Sequence, residues 1–182
     1  MKPDNVVFEN SLEKEYDVYS VAEKLVSQLA EKGMTVSTAE SCTGGLIGAA
    51  ITSVSGASAV FERGFVTYAN IAKEEILGVP HETLEGFGAV SVQTAHYMAK
   101  GVCKAAKSRL GIAVTGIAGP TGGTPEKPVG LVYVGICFDG AVKVTEYHFS
   151  GDRNRVRTAT VYMALCDAMT LYNATDKLEE NF

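Results

Sequence analysis

The stretch VGLVYVGICF, the pair Asp139-Gly140 and the stretch AVKVTEYHF constrain the fold more than any other part of the chain. Two runs rich in β-branched and aromatic residues, separated by Asp-Gly, read as an antiparallel hairpin, because glycine supplies the positive φ that a two-residue turn requires. Upstream, segments of helical period alternate with strand-like runs, and such alternation implies parallel strands joined by crossover helices. A purely parallel or purely antiparallel sheet cannot satisfy both halves. The pattern therefore predicts a mixed sheet, parallel at the front and antiparallel near 129–149, with helices on both faces.

Between Tyr16 and Lys32, Val18, Val21, Ala22, Leu25, Val26 and Leu29 recur at helical spacing, and Gly33 supplies the stop. MTVSTAE reads as a strand and is followed by a helix from about Gly44 to Ser53, with Leu46, Ile47, Ala50, Ile51 and Val54 on one face. AVFERGFVTYA reads as a second strand, after which Asn70 is placed to cap the helix IAKEEILG; Ser91 caps a longer helix reaching about Ala106. LGIAVTGIAGP has the character of a buried strand entering a loop. A last helix starts near Asp152 and is apolar nearly all round from Val156 to Leu171. The predicted order is α, β, α, β, α, α, β, β, β, α. Residues 1–14 are expected to form a flexible arm, 15–174 a single domain and 175–182 an acidic tail.

With 182 residues, 46% of them apolar and 20% charged, the chain is long enough to build one core without metal or disulfide support. A net charge of −5 leaves DRNRVR as the only basic stripe that could serve nucleic acid. The four cysteines are scattered and unpaired in sequence, which suits a reducing, cytoplasmic setting. No apolar run is long enough to span a bilayer and none resembles a secretory h-region.

TAESCTGGLIGAA sets three nucleophile types, Ser41, Cys42 and Thr43, at the junction of a strand and a helix. Free N–H groups converge at such a junction and can hold an anion or an oxyanion, and Gly44 and Gly45 allow close approach. The plainer reading makes Thr43 an N-cap and the glycines turn residues. In VTYANIAKEE, Tyr68 ends a strand and Lys73 lies in the first turn of a helix, where a cation is disfavoured. Action as a base near pH 7 requires a drop of roughly three units from about 10.4, about 4 kcal/mol. A helix dipole supplies about 0.3–1 kcal/mol of that, so desolvation must supply the rest. Taken alone, Lys73 reads more simply as a solvated surface lysine.

The loop TGIAGPTGGTPEKPVG follows a strand but has neither the G-K-[ST] ending of a phosphate loop nor a G-x-G-x-x-G opening a helix. It is either structural or a wall of a substrate site. Arg153 and Arg157, four apart at a helix start, share a face and could pair a phosphate or form a solvated ion-pair face. The three histidines lack H-E-x-x-H or Cys/His ligand spacing, and no G-x-S-x-G elbow supports a Ser-His-Asp triad.

Taken together, TAESCTGG, AVFERGFVTYAN-x-x-K, LGVP, GAVS, AVTGIAGPTGG-x-PEKPVG and GDR-x-x-VR resemble the C-terminal domain family of the competence/damage-inducible protein CinA, in its stand-alone nicotinamide-nucleotide amidohydrolase form. The resemblance runs from about Tyr16 to Leu171. It implies a three-layer α/β/α sandwich and hydrolysis of the carboxamide of nicotinamide mononucleotide to nicotinic acid mononucleotide and ammonia, in pyridine-nucleotide salvage. It further implies Ser41 as nucleophile, with Tyr68 and Lys73 assisting. Binding positions carried over are Cys42, Thr43, Gly44, Gly45, Thr115, Gly116, Ala118, Arg153 and Arg157. No cofactor or metal is expected, and the expected partner is the small-molecule substrate rather than nucleic acid or membrane, with homo-oligomerisation left open. Two alternatives stand beside this reading: a Cys42-dependent amidase, since a helix N-terminus lowers a thiol pKa, and a non-catalytic pyridine-nucleotide binding or partner module.

Overall fold

The computed structural model describes residues 4–6 and 16–179, with side chains from 16 to 170. Strands β1 (Asp4–Val6), β2 (Val36–Glu40), β3 (Phe61–Val66), β4 (Leu110–Gly116), β5 (Leu131–Phe138) and β6 (Ala141–His148) form one sheet in the order β1-β6-β5-β4-β2-β3. β2 pairs in parallel with both β3 and β4, whereas β5 pairs antiparallel with both β4 and β6. The mixed sheet expected from the sequence is therefore present. Asp139 and Gly140 both have positive φ (47° and 85°), the conformation that the tight hairpin demands.

Helices α1 (Val18–Glu31), α2 (Leu46–Thr52) and α6 (Arg153–Glu179) pack together on one face. Helices α3 (Asn70–Leu77), α4 (His81–Phe87) and α5 (Val92–Ala106) cover the other, completing the α/β/α sandwich. The two faces of the central strands differ in residue size. Leu110, Ile112 and Val114 of β4 and Val132, Val134 and Ile136 of β5 point into the core beneath α1, α2 and α6. On the opposite face the same strands carry Gly111, Ala113, Gly135 and Cys137. A Cβ on Gly135 would lie 2.6 Å from the Ala95 carbonyl oxygen, so the absence of a side chain lets the α5 backbone rest on the sheet. α3 rests on α5 in the same way, since a Cβ on Gly101 would lie 2.0 Å from the Leu77 carbonyl oxygen.

Four features depart from the sequence reading. Within the arm, Asp4–Val6 pair in parallel with β6, from Asp4 beside Thr145 to Val6 beside Tyr147; residues 7–15 lie outside the described residues. α4 is an additional short helix between Pro80 and Gly88. Asn70 does not cap α3: it is the first helical residue, and the cap position falls on Ala69, whose backbone is extended and whose side chain makes no capping bond. α6 continues through Glu179, past the boundary expected at 174, and 180–182 lie outside the described residues. Ser91 does cap α5, accepting from the Thr94 N–H at 3.2 Å.

Candidate active site

All five residues of β2 are buried, and the strand ends on Glu40. A charged side chain at the end of such a strand must find donors or neutralise. Glu40, 1% exposed, turns its carboxylate onto the start of α2. Oε2 accepts from the Thr43 hydroxyl (2.7 Å) and from the Gly45 and Ile47 N–H groups (3.0 Å each), while Oε1 accepts from the Gly48 N–H at 2.8 Å. Gly44 and Gly45 have positive φ (63° and 102°), which lets the chain turn tightly enough between Ser41 and α2 to bring these donors to one carboxylate. The Gly45 N–H is thus held by Glu40.

Ser41 follows directly. Its N–H bonds the Val114 carbonyl of β4 at 3.1 Å, fixing it between two parallel strands. Beyond β3, the Thr67 N–H bonds the Glu40 carbonyl at 2.9 Å and keeps Thr67 and Tyr68 beside the end of β2. Lys73 of α3 reaches back into this corner. Its Nζ lies 3.2 Å from Ser41 Oγ, 2.7 Å from the Thr67 carbonyl oxygen and 3.3 Å from that of Tyr68.

Lys73 is 1% exposed, so the surface-lysine reading does not hold. Burial pushes its pKa below the ordinary lysine value. Among the described residues no carboxylate pairs with it. Glu74, its neighbour in sequence, is engaged instead by His81 at 2.9 Å. Nζ donates to the two carbonyls and to Ser41 Oγ; on loss of one proton, two N–H groups can still serve the carbonyls and the lone pair can face the Ser41 hydroxyl.

Cys42 is a different kind of neighbour. Its side chain is 6% exposed and belongs to the core beneath α1 and α2. Desolvation first, with the charge of Glu40 adding to it, pushes the thiol up to about 12, which leaves almost no thiolate at neutral pH. The lowering that a helix N-terminus confers is opposed by the carboxylate seated on that terminus.

A cavity of about 330 Å³ opens at this corner, a size suited to a small-molecule ligand. Ser41, Tyr68, Lys73, Thr115, Gly119 and Arg153 are among the residues that line it. Eight of the twelve residues singled out from the sequence line the cavity, whereas Thr43, Gly44, Gly45 and Arg157 lie outside its wall. Thr115 spends its hydroxyl on the Ala89 carbonyl (2.7 Å), which ties the end of β4 to the loop before α5. Gly116 has no room for a side chain, since a Cβ would lie 2.7 Å from the Leu131 carbonyl oxygen. Ala118 is buried in the cavity floor. Tyr68 is 64% exposed and meets Lys73 through its carbonyl rather than its hydroxyl.

The two arginines separate. Arg153 faces the cavity and donates to the Gly119 carbonyl at 2.9 Å. Arg157 turns to the Ser41 loop, donating through Nε to the Cys42 carbonyl (3.2 Å) and through a terminal nitrogen to that of Thr43 (2.9 Å). Both cations therefore face main-chain carbonyls instead of forming a basic stripe. Among the described residues no three His, Cys, Asp or Glu side chains are grouped to hold a metal ion, and no helix is long and apolar enough to cross a membrane.

The family model for the CinA C-terminal domain matches residues 18–171, the span that carries all of this geometry. The chain belongs to the CinA C-terminal domain family. A CinA-like protein of Kosmotoga olearia is 51% identical over 146 residues, 80% of this chain. The chain spans about a third of the length of the curated CinA-type relatives it matches, 33% in a Clostridium perfringens protein and 35% in the Kosmotoga one. Among solved CinA-type structures, the competence/damage inducible protein CihA from Agrobacterium tumefaciens superposes with a TM-score of 0.85 at 47% identity, covering 90% of this chain and 99% of its own. A CinA superfamily protein from Escherichia coli gives 0.83 at 32% identity, covering 89% and 94%.

Glu40 was missed by the sequence reading. Its signal was a lone acid ending a strand otherwise expected to be buried, just ahead of a run of prospective helix N–H groups.

Proposed function

We propose that this protein hydrolyses the carboxamide of nicotinamide mononucleotide to nicotinic acid mononucleotide and ammonia, with Ser41 as nucleophile and Lys73 as base, in pyridine-nucleotide salvage. The observation that carries the reading is the 3.2 Å contact between the Ser41 hydroxyl and a buried lysine that no carboxylate neutralises among the described residues. Serine needs an adjacent base, and a desolvated lysine amine is a suitable one. Ser41 Oγ attacks the carboxamide carbon as its proton passes to Lys73 Nζ; the contact is direct, so no relay through the Tyr68 hydroxyl is needed. The carbonyl oxygen becomes the oxyanion of a tetrahedral intermediate. Lys73 then returns the proton to the leaving nitrogen, the C–N bond breaks, and ammonia departs. Water, deprotonated by the same amine, attacks the acyl-serine; the ester bond breaks and Ser41 recovers a proton. Arg153, which also lines the cavity, is the residue we assign to the phosphate of a nucleotide whose carboxamide lies at Ser41.

Ammonia release from nicotinamide, its riboside and its mononucleotide tests the substrate. The mononucleotide is expected to be turned over fastest, and turnover of none of the three retires the reading. The Cys42 alternative is opposed by the burial of that thiol. Cys42→Ala is expected to keep turnover within about tenfold, because the group removed is a small core hydrophobe, while Ser41→Ala removes it; the opposite pattern would return the cysteine mechanism.

A further inference from the structure

The Ser41 loop is gripped from both sides by charged side chains that do not line the cavity, Glu40 and Arg157. Arg157 holds the carbonyl oxygens of Cys42 and Thr43. In a planar trans peptide the N–H points opposite to the C=O, so holding these two carbonyls turns the N–H groups of Thr43 and Gly44 away from Arg157. The Gly44 N–H is used by the Ser41 carbonyl at 3.2 Å. The Gly45 N–H is used by Glu40. Glu40 acts on the other end of the loop. Its four hydrogen bonds tie the residue immediately before Ser41 to Thr43 and to the first turn of α2. They also place a negative charge on that helix start, which makes it a poor anion site.

We propose that Glu40 and Arg157 are positioning residues that clamp the Ser41 loop and hold Oγ at Lys73. The proposal rests on the serine-lysine reading above and adds to it what keeps the nucleophile in place. It assigns Arg157 to the loop backbone rather than to a substrate phosphate.

The clamp makes specific demands on its members. Glu40→Gln conserves volume but replaces an acceptor by an NH₂ group, and either orientation of the amide then sets a donor against a backbone N–H. Arg157→Lys keeps the charge but loses the planar fork that spans two successive carbonyls. Two rates are to be measured in each variant, with thermal unfolding as a check of folding. One is sulfonylation of Ser41 by phenylmethanesulfonyl fluoride, followed by intact and peptide mass. The other is kcat and KM on nicotinamide mononucleotide and on its riboside.

Expected are a fall of at least tenfold in both labelling and kcat, KM within threefold of the parent, and an unchanged preference between mononucleotide and riboside. Labelling at the parental rate in a folded Glu40→Gln protein overturns the clamp. So does an Arg157→Lys protein whose only defect is a raised KM for the mononucleotide, since that makes Arg157 a phosphate ligand. If Glu40→Gln does not fold, Thr43→Val, which deletes one of the four bonds, is expected to slow labelling by a smaller factor; an unchanged rate then overturns the proposal. A parent that labels at Ser41 but turns over neither substrate refutes the substrate reading alone, with the clamp still decided by labelling. A parent that never labels at Ser41 ends both.

Discussion

Lys73 occupies a position that would be unfavourable for a lysine with no task. Its amine lies behind Tyr68 and Ser41, bonded to the Thr67 and Tyr68 carbonyls, and desolvation lowers its pKa from the ordinary lysine value. The sign of the consequence follows from which form works. In the proposed mechanism the neutral amine is the base, so turnover should rise with pH as Lys73 deprotonates, with a limb below the ordinary lysine range; an activity flat from pH 6 to 9 would falsify this assignment. Lys73→Met should lower kcat by about 10²–10⁴-fold, the usual worth of a positioned general base. Linkage gives an independent check. Between the lowered folded pKa and the ordinary unfolded value, the unfolded chain holds the proton that the folded chain has released, so stability rises with pH across that window. The Tm of the parent relative to Lys73→Met should therefore climb from pH 7 to 10. A difference that stayed constant would mean that the folded pKa is not depressed. At this scale the sequence was informative about residue types and silent about burial. Lys73 in isolation read as a surface residue because periodicity cannot show that Thr67 and Tyr68 fold over it.

At the scale of elements, the catalytic corner depends on how closely α3 sits against α5, and that depends on one missing side chain. Gly101 faces the Leu77 carbonyl at the end of α3, four residues after Lys73. Gly101→Ala must push the two helices apart. Overpacking of this kind costs about 1–3 kcal/mol, and the displacement should carry Lys73 away from Ser41. The expected result is a lowered Tm together with a fall in kcat larger than in KM; a variant of normal Tm and kcat would show that α3 is free to adjust. The elements that carry the chemistry were legible because their signals are local: a buried strand, an Asp-Gly turn, and Ser91 before a helical period. The missed elements lacked such signals. α4 spans seven residues, too few for a period to declare itself, although Pro80 and Gly88 bracket it. β1 exists through pairing with β6 on the far side of the sequence, which no pattern within DNV could announce. The role of Glu40 was hidden for a related reason. Its partners lie three to eight residues ahead, and an acid that caps a helix from the end of the preceding strand follows none of the usual capping spacings.

For the whole molecule, the sheet topology determines where a ligand can sit. β2 and β4 are parallel neighbours, yet the chain leaves β2 outward to the edge strand β3 and leaves β4 the other way, toward β5. Between the carboxyl ends of two such strands no connecting loop crosses, and the resulting crevice is the standard ligand position in open α/β sheets. Ser41 follows one strand, Thr115 and Gly116 end the other, and the start of α6 brings Arg153 across the opening. Ser41, Lys73 and Arg153 thus line one cavity together, and under the proposed function it would take a ligand that carries both a carboxamide and a phosphate. Arg153 already gives one N–H to the Gly119 carbonyl, which holds the guanidinium at the rim and leaves its other donors for an anion. Arg153→Ala should therefore raise KM for nicotinamide mononucleotide by at least tenfold, in line with the loss of about 1.5–3 kcal/mol from hydrogen bonds to a charged group. KM for the riboside, which has no phosphate, should change little. Equal losses on both substrates would mean that Arg153 serves only to brace the Gly119 loop, and that the phosphate is held elsewhere along the glycine-rich wall.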